Sequence, residues 1–122
     1  MKIERKTAGS VTILAFTGEF DALNLPQVGE KTDTPIQEGC THLVFNMRLL
    51  TFIDSSALGH LIKTAKRLKE LGGELVLSEP SKFLQTTIET LGIDQILKVF
   101  PSDEEAVTYF HETGGEEASP ED

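Results

Sequence analysis

The sequence contains a single cysteine, Cys40, among its 122 residues. One thiol cannot form an internal disulfide, and it cannot provide a thiolate-rich zinc site. No apolar run approaches the roughly 20 residues that cross a bilayer, and residues 1–5 lack the apolar stretch of a signal peptide. We therefore expect a cytoplasmic protein without a membrane partner, whose folding depends on packing alone.

Basic residues are scarce as well. Eleven Lys and Arg stand against twenty Asp and Glu, which gives a formal net charge of −9 and argues against nucleic acid as the main partner. No Lys or Arg follows residue 101, whereas eight Asp and Glu do, so the residues before it are together nearly neutral. We expect residues 1–112 to form a single domain and residues 113–122 to be an acidic, disordered tail.

Hydrophobic patterning predicts five strands. Residues 3–6 and 11–17 suit a pleated surface, and the turn-forming sequence Ala8-Gly9-Ser10 between them indicates an N-terminal hairpin. Three nearly continuous apolar runs are typical of strands buried on both faces, and they cover residues 42–46, 74–78 and 96–100.

An apolar period of three to four residues predicts helices between these strands. The period is clearest from Ser55 to Leu71, where Gly72-Gly73 ends the helix. Shorter or less regular patterns cover residues 21–38, residues 80–91 and the segment after the capping-box pair Ser102 and Glu105. Alternating strands and helices favour right-handed crossovers, so we expect an α/β fold in which a hairpin leads into a mixed, largely parallel sheet with helices packed on it.

The segment Thr51-Phe52-Ile53-Asp54-Ser55-Ser56-Ala57-Leu58-Gly59 leads into the most regular helix. The simplest interpretation is that Asp54 or Ser55 is the N-cap, which stabilises the helix by about 1 kcal/mol. A functional interpretation starts from the same position. A hydroxyl group at a helix N-terminus is exposed among amide donors that tolerate a phosphate, which makes Ser55 a candidate phosphorylation site.

The same segment resembles the signature of the anti-sigma factor antagonists, small proteins of the STAS domain family (sulfate transporter and anti-sigma antagonist). Four further segments are similar to family motifs and occur in the same order: Gly18-Glu19-Phe20-Asp21, Leu43-Val44-Phe45-Asn46, Gly72-Gly73-Glu74-Leu75 and Leu91-Gly92-Ile93. The similarity extends over roughly residues 3–110, and it implies a single-domain STAS fold.

The resemblance implies a partner-switching role. In this family the unmodified protein binds an anti-sigma factor that is also a serine kinase, and so frees the sigma factor. Phosphorylation of the serine after the signature Asp breaks the complex, and a metal-dependent serine phosphatase restores it. Ser55 is the corresponding phosphoacceptor. Asp54 and Ser56 adjoin it, and the resemblance implies that Asp21 and Asn46 flank it from neighbouring strand ends.

Two positions depart from the family pattern, because Asn46 stands where Asp is usual and Ala57 where Gly is usual. Asn46 removes a negative charge expected near the acceptor. This departure favours an alternative in which the chain is a STAS scaffold or ligand-binding module that is never phosphorylated.

The helix after Ser55 offers a candidate partner interface, formed by Ala57, Gly59, His60, Lys63 and Arg67, although a basic helix face is often only solvated. Catalysis is not expected. His60 follows Ser55 by five residues on one helix and faces away from it, and the Gly-x-Ser-x-Gly motif of serine hydrolases is absent. The histidines show no metal-ligand spacing, so we predict neither a metal site nor a cofactor.

Overall fold

A single sheet of five strands organises the described part of the chain. The structure, a computed structural model, describes residues 1–113. The strands are β1 (Lys2–Ala8), β2 (Val11–Phe20), β3 (His42–Ile53), β4 (Glu74–Ser78) and β5 (Val99–Phe100). The helices are α1 (Leu25–Gln37), α2 (Ser55–Glu70), α3 (Lys82–Thr90) and α4 (Asp103–Glu112). Of the predicted acidic tail, residues 114–122 lie outside the described residues.

The sheet has the strand order β1-β2-β3-β4-β5. The pair β1 and β2 is antiparallel and forms the predicted hairpin around Gly9 and Ser10, whereas all later pairs are parallel. Parallel neighbours require a crossover, and each helix between two strands supplies one. The expected α/β fold with a mixed, largely parallel sheet is confirmed.

The helices cover both faces of the sheet. Helices α1, α2 and α3 pack on one face, where buried side chains such as Phe45 and Leu61 form the larger core. Helix α4 packs on the other face, where Ala106 and Phe110 contact the smaller core around Val44. Residues 43–45 are therefore buried from both sides, as the continuous apolar run predicts.

β3 is much longer than the apolar run at residues 42–46 indicates. Beyond Asn46, β3 no longer pairs with β4, but it remains paired with β2 as far as Ile53. The pairing contains two register shifts, between Ala15 and Thr17 and between Gly18 and Glu19 on β2. In this part every third residue is buried, namely Met47, Leu50 and Ile53. A bulged strand does not show the two-residue alternation by which strands are recognised in a sequence, so the apolar pattern predicts only the first part of β3.

The predicted ends of other elements are also corrected. β5 contains only Val99 and Phe100, and Ile96 is half exposed after a 3-10 turn at Ile93–Gln95. The apolar pattern of residues 80–91 also predicts that Phe83 lies on the buried face of α3, but Phe83 is exposed and the buried residues are Leu84 and Ile88. The 3-10 turn before β5 shortens the strand. Adjacent residues of a helix point about 100° apart, so Leu84 faces the core and Phe83 does not.

Gly73 offers a test of the close approach between the end of α2 and the start of β3. A Cβ atom at this position would collide with the main-chain carbonyl group of Thr41. We expect Gly73→Ala to lower the free energy of unfolding by about 2 kcal/mol or more, measured by urea denaturation. The control is Gly29→Ala in α1, where a Cβ atom meets nothing within 4 Å. The control should be neutral or stabilising, and an equal loss in both variants would contradict this explanation.

Candidate functional site

The carboxyl ends of β2 and β3 bring two aspartates together. Phe20 and Ile53 are paired as the last residues of the two strands, and the Asp54 amide donates to the carbonyl oxygen of Phe20 at 3.4 Å. The residues that follow this pair are Asp21 and Asp54, and both side chains are partly buried. Two carboxylates that are distant in sequence therefore share one edge of the sheet.

Each of these aspartates caps the helical turn that follows it. The Asp54 Oδ1 atom accepts hydrogen bonds from the amides of Ser56 at 2.9 Å and Ala57 at 3.1 Å. The Asp21 Oδ1 atom accepts from the Asn24 amide at 3.1 Å and closes a 3-10 turn at Ala22–Asn24. The sequence left Asp54 and Ser55 as alternative caps of α2, and the structure assigns this position to Asp54.

Ser55 is the first residue of α2 and is exposed. Within residues 1–113 no hydrogen bond is formed by its hydroxyl group. The first-turn amides and the helix dipole favour negative charge at this point. The hydroxyl group is thus accessible to a modifying enzyme, and it is not required for the helix cap. Ser56 follows it and is partly buried.

Asn46 does not lie at this site. It pairs with Ala15 and Ser78 in the middle of the sheet, whereas the stretch of β2 from Ala15 to Phe20 is about 16 Å long. Its Nδ2 atom donates to Asp103 at 2.8 Å, and its Oδ1 atom accepts from the Arg48 amide at 2.9 Å. The expectation that Asn46 flanks Ser55 is wrong, because β3 continues seven residues past it.

Instead, Asn46 belongs to a buried polar cluster at the start of α4. The Asp103 Oδ1 atom accepts from Asn46 and from the Ser78 hydroxyl group at 2.6 Å. Asn46 and Ser78 are both buried, so these hydrogen bonds satisfy groups that would otherwise be costly to bury. The cluster fixes the N-terminus of α4 over the sheet and has a structural role.

A groove of about 670 Å³ runs between α1 and α2 beside Ser55. Four residues expected at a partner interface or beside the phosphosite line it: Ser56, Gly59, His60 and Lys63. Arg67 lines its far end, where its Nη1 atom forms an ion pair with Asp33 at 2.5 Å. Ala57 is fully buried and cannot contact a partner, which corrects its assignment to the interface.

His60 is wedged between the two helices. Its Nε2 atom lies 3.4 Å from the Thr32 hydroxyl oxygen and 3.3 Å from that of Thr64, and its ring contacts Phe20 edge-on. Burial lowers the pKa of His60, Asp33 opposes this effect, and Lys63 adds to it. His60 therefore supports the packing of α1 against α2 in its neutral form.

Sequence reasoning missed the contribution of α1 to this groove. Leu25, Pro26 and Gly29 line its opposite wall, and Leu23 stands 86% exposed immediately before them. Single exposed apolar side chains are common on protein surfaces, so Leu23 gave no signal of this groove in the sequence. Its exposure depends on the 3-10 turn, which the sequence pattern did not reveal.

Family comparison assigns the chain to a known class. The sequence profile of the STAS domain matches residues 2–106, and the chain belongs to the STAS domain family. The anti-sigma F factor antagonist of Paenibacillus polymyxa is 27% identical over 109 residues, which cover 88% of this chain and 93% of the relative. The anti-sigma-B factor antagonist of Bacillus subtilis is 29% identical over 90 residues, or 74% and 82% of the two chains.

Solved structures agree on the fold. The anti-sigma factor antagonist SpoIIAA in its unphosphorylated form superposes with a TM-score of 0.76 at 22% identity, covering 91% of this chain and 97% of that chain. The Thermotoga maritima protein TM1081 gives a TM-score of 0.80 at 20% identity, covering 91% and 90%. The STAS fold expected from the sequence is thereby confirmed. Within residues 1–113, no helix has the length and apolar character needed to span a bilayer.

The cap of α2 can be tested by substitution. We expect Asp54→Ala to lower the free energy of unfolding by about 1 kcal/mol, because two first-turn amides lose their acceptor. Ser55→Ala is the matched control and should change stability by less than about 0.5 kcal/mol. Urea denaturation measures both, and a larger loss in the control would show that Ser55 rather than Asp54 is the cap.

The environment of His60 predicts a pH dependence of stability. Because the pKa of His60 is lower in the folded protein than the ordinary value of 6.5, the unfolded chain binds its proton more readily. The stabilisation from neutral His60 is complete above about pH 6.5 and is lost as the pH falls towards the folded-state pKa. Urea denaturation at several pH values should therefore show a smaller loss between pH 7 and pH 5 in His60→Gln than in the wild type. Identical losses would contradict the assignment.

Proposed function

We propose that this chain is an anti-sigma factor antagonist that switches partners through phosphorylation of Ser55. When unmodified, it binds an anti-sigma factor that is also a serine kinase, and phosphorylation releases it. A metal-dependent serine phosphatase then restores binding. The observation that carries the proposal is the exposed Ser55 hydroxyl group at the start of α2, beside the groove between α1 and α2. The names of the relatives support the same role.

The fold should tolerate a phosphate at Ser55. Phosphorylation adds about −1.5 to −2 charges at neutral pH, and the N-terminus of α2 favours such charge by about 0.3–1 kcal/mol. Repulsion from the carboxylates of Asp54 and Asp21 offsets part of this gain. Since both effects are small and Ser55 is exposed, the net change in the free energy of unfolding should be small.

Binding should be far more sensitive than folding. A phosphate at a protein interface loses hydration and meets like charges, which costs several kcal/mol. A cost of about 4 kcal/mol already reduces affinity nearly a thousandfold. Asp21, Asp54 and Ser56 adjoin the phosphate in this proposal, and the two carboxylates make the site still less favourable for an acidic partner surface.

The partner surface is the groove together with its rim. Lys63 is exposed and provides positive charge, whereas Arg67 is partly neutralised by its ion pair with Asp33. The exposed Leu23, which precedes α1, offers an additional apolar contact. We infer that Gly59, between Ser55 and Lys63 on α2, allows close approach of the partner backbone.

A binding role fits the site better than catalysis. The His60 Nε2 atom faces the hydroxyl groups of Thr32 and Thr64, so it does not serve as a base for Ser55. The alternative of an unphosphorylated scaffold depended on Asn46 beside the acceptor, and Asn46 belongs to the Asp103 cluster instead. We therefore retain partner switching as the single proposed function, in a cytoplasmic domain of residues 1–112.

Incubation with the anti-sigma factor kinases of the source organism and ATP tests the proposal. We expect a mass gain of one phosphate in the wild type and in Ser56→Ala, and none in Ser55→Ala. Ser56 is the matched control because it is the neighbouring hydroxyl on the same helical turn.

The phosphorylated and unmodified forms should then be compared by melting temperature and by affinity for the same kinase in isothermal titration calorimetry. The proposal predicts similar melting temperatures and an affinity reduced by a hundredfold or more, roughly 3 kcal/mol. A phosphorylated form that melts much earlier and still binds would refute it, as would the absence of phosphate with every kinase.

A further inference from the structure

The outer edge of β1 is an open strand edge. β1 is the first strand of the sheet and, among the described residues, pairs only with β2, through all seven of its residues. Within residues 1–113 no main-chain hydrogen bond is made on its other side. The strand is also regular, without a bulge or proline. Such an edge is a template for another strand.

The hairpin determines which main-chain groups of β1 point outwards. Ala8 and Val11 flank the two-residue turn at Gly9 and Ser10, so they form a hydrogen-bonded pair. Counting back from Ala8, every second residue of β1 directs its amide and carbonyl groups towards β2. The groups that remain free at the edge belong to Ile3, Arg5 and Thr7.

The charges along this edge are balanced within the chain. Lys2 lies 3.4 Å from Glu4, Arg5 lies 2.6 Å from Glu38, and Lys6 lies 3.9 Å from Asp103. Each cation of β1 therefore has a carboxylate nearby. The edge as a whole does not repel a second copy of itself.

We propose that two copies of this chain pair antiparallel through β1, with the two-fold axis at Arg5, to form a continuous ten-stranded sheet. In this register Ile3 of one copy faces Thr7 of the other, and Arg5 faces Arg5. The three outward residues of each strand exchange about six main-chain hydrogen bonds. Glu4 of one copy faces Lys6 of the other, and this pair occurs twice.

Neighbouring registers are less favourable. The side chains of the two strands stay on matching faces of the sheet only when one strand shifts along the other by an even number of residues. A shift of two in one direction places Glu4 opposite Glu4 and Lys2 opposite Lys6, and in the other direction it places Lys6 opposite Lys6. Both shifts leave one outward residue of each strand without a partner. Like charges directly opposite are destabilising, whereas opposite charges contribute about 0.2–1 kcal/mol per pair. The proposed register has one like-charge contact, Arg5 opposite Arg5, and each of these guanidinium groups is already paired with Glu38 of its own chain.

The contact between two single strands is small, so the dimer should be weak, with a dissociation constant between about 10 μM and 1 mM. It does not rest on the proposed function. Ser55 follows the end of β3, which is two strands away from the β1 edge. Both copies can therefore present their sites at the same time.

Disulfide trapping tests the register. In a Cys40→Ser background, Arg5→Cys places two thiols across the axis, where hydrogen-bonded residues have Cα atoms about 5.5 Å apart and can form a disulfide. Thr7→Cys is the matched control on the same side of the strand, because it faces Ile3. We expect Arg5→Cys to cross-link at least about tenfold faster under mild oxidation. Equal rates, or faster linkage through Thr7→Cys, would overturn the proposal.

Sedimentation equilibrium of the uncross-linked protein tests the charge pairing. We expect concentration-dependent dimers, about tenfold weaker in Glu4→Lys and in Lys6→Glu, and restored when both substitutions are combined. Circular dichroism spectra would show that all variants are folded. A wild type that remains monomeric up to about 1 mM, or a double variant no better than the single ones, refutes the β1 dimer. Kinase binding by Ser55 can succeed or fail independently of this result.

Discussion

The parallel pairing of β2 with β3 is the constraint on which the site depends. It ends at Phe20 and Ile53, and the residue after each is an aspartate that caps the next helical turn. Because both strands end at the same level, Asp54 starts α2 beside the turn that Asp21 starts. The exposed position of Ser55 is a consequence of this geometry. Without the pairing, the two caps would have no fixed relation to each other.

The bulged half of β3 determines how far the carboxyl ends of β2 and β3 project from the rest of the sheet. β4 ends opposite Asn46, whereas β2 and β3 continue together for several more residues. The site therefore lies well beyond the core around Phe45, and the polar cluster at Asp103 remains in the middle of the sheet. This separation gives the two polar regions different roles, because one holds α4 in place and the other lies at the proposed partner surface.

The groove between α1 and α2 combines rigidity with access. His60 fills the space between the helices, and the ion pair of Arg67 with Asp33 connects them further along. Because these contacts hold both walls, a partner would meet a preformed surface next to Ser55. Preformed surfaces bind with a smaller loss of conformational entropy, so more of the interaction energy contributes to affinity. In the proposed switch, a phosphate at Ser55 opposes this interaction energy.

The sequence by itself determined the alternation of strands and helices, the start of α2 at Asp54 or Ser55 and the candidate phosphosite, because these follow from local periodicity and capping chemistry. The structure then assigned the cap to Asp54. Tertiary structure alone decided the length of β3, the location of Asn46 and the burial of Ala57. It also decided that α1 forms one wall of the groove. These features depend on contacts between residues far apart in the chain, where bulges and packing override the local pattern.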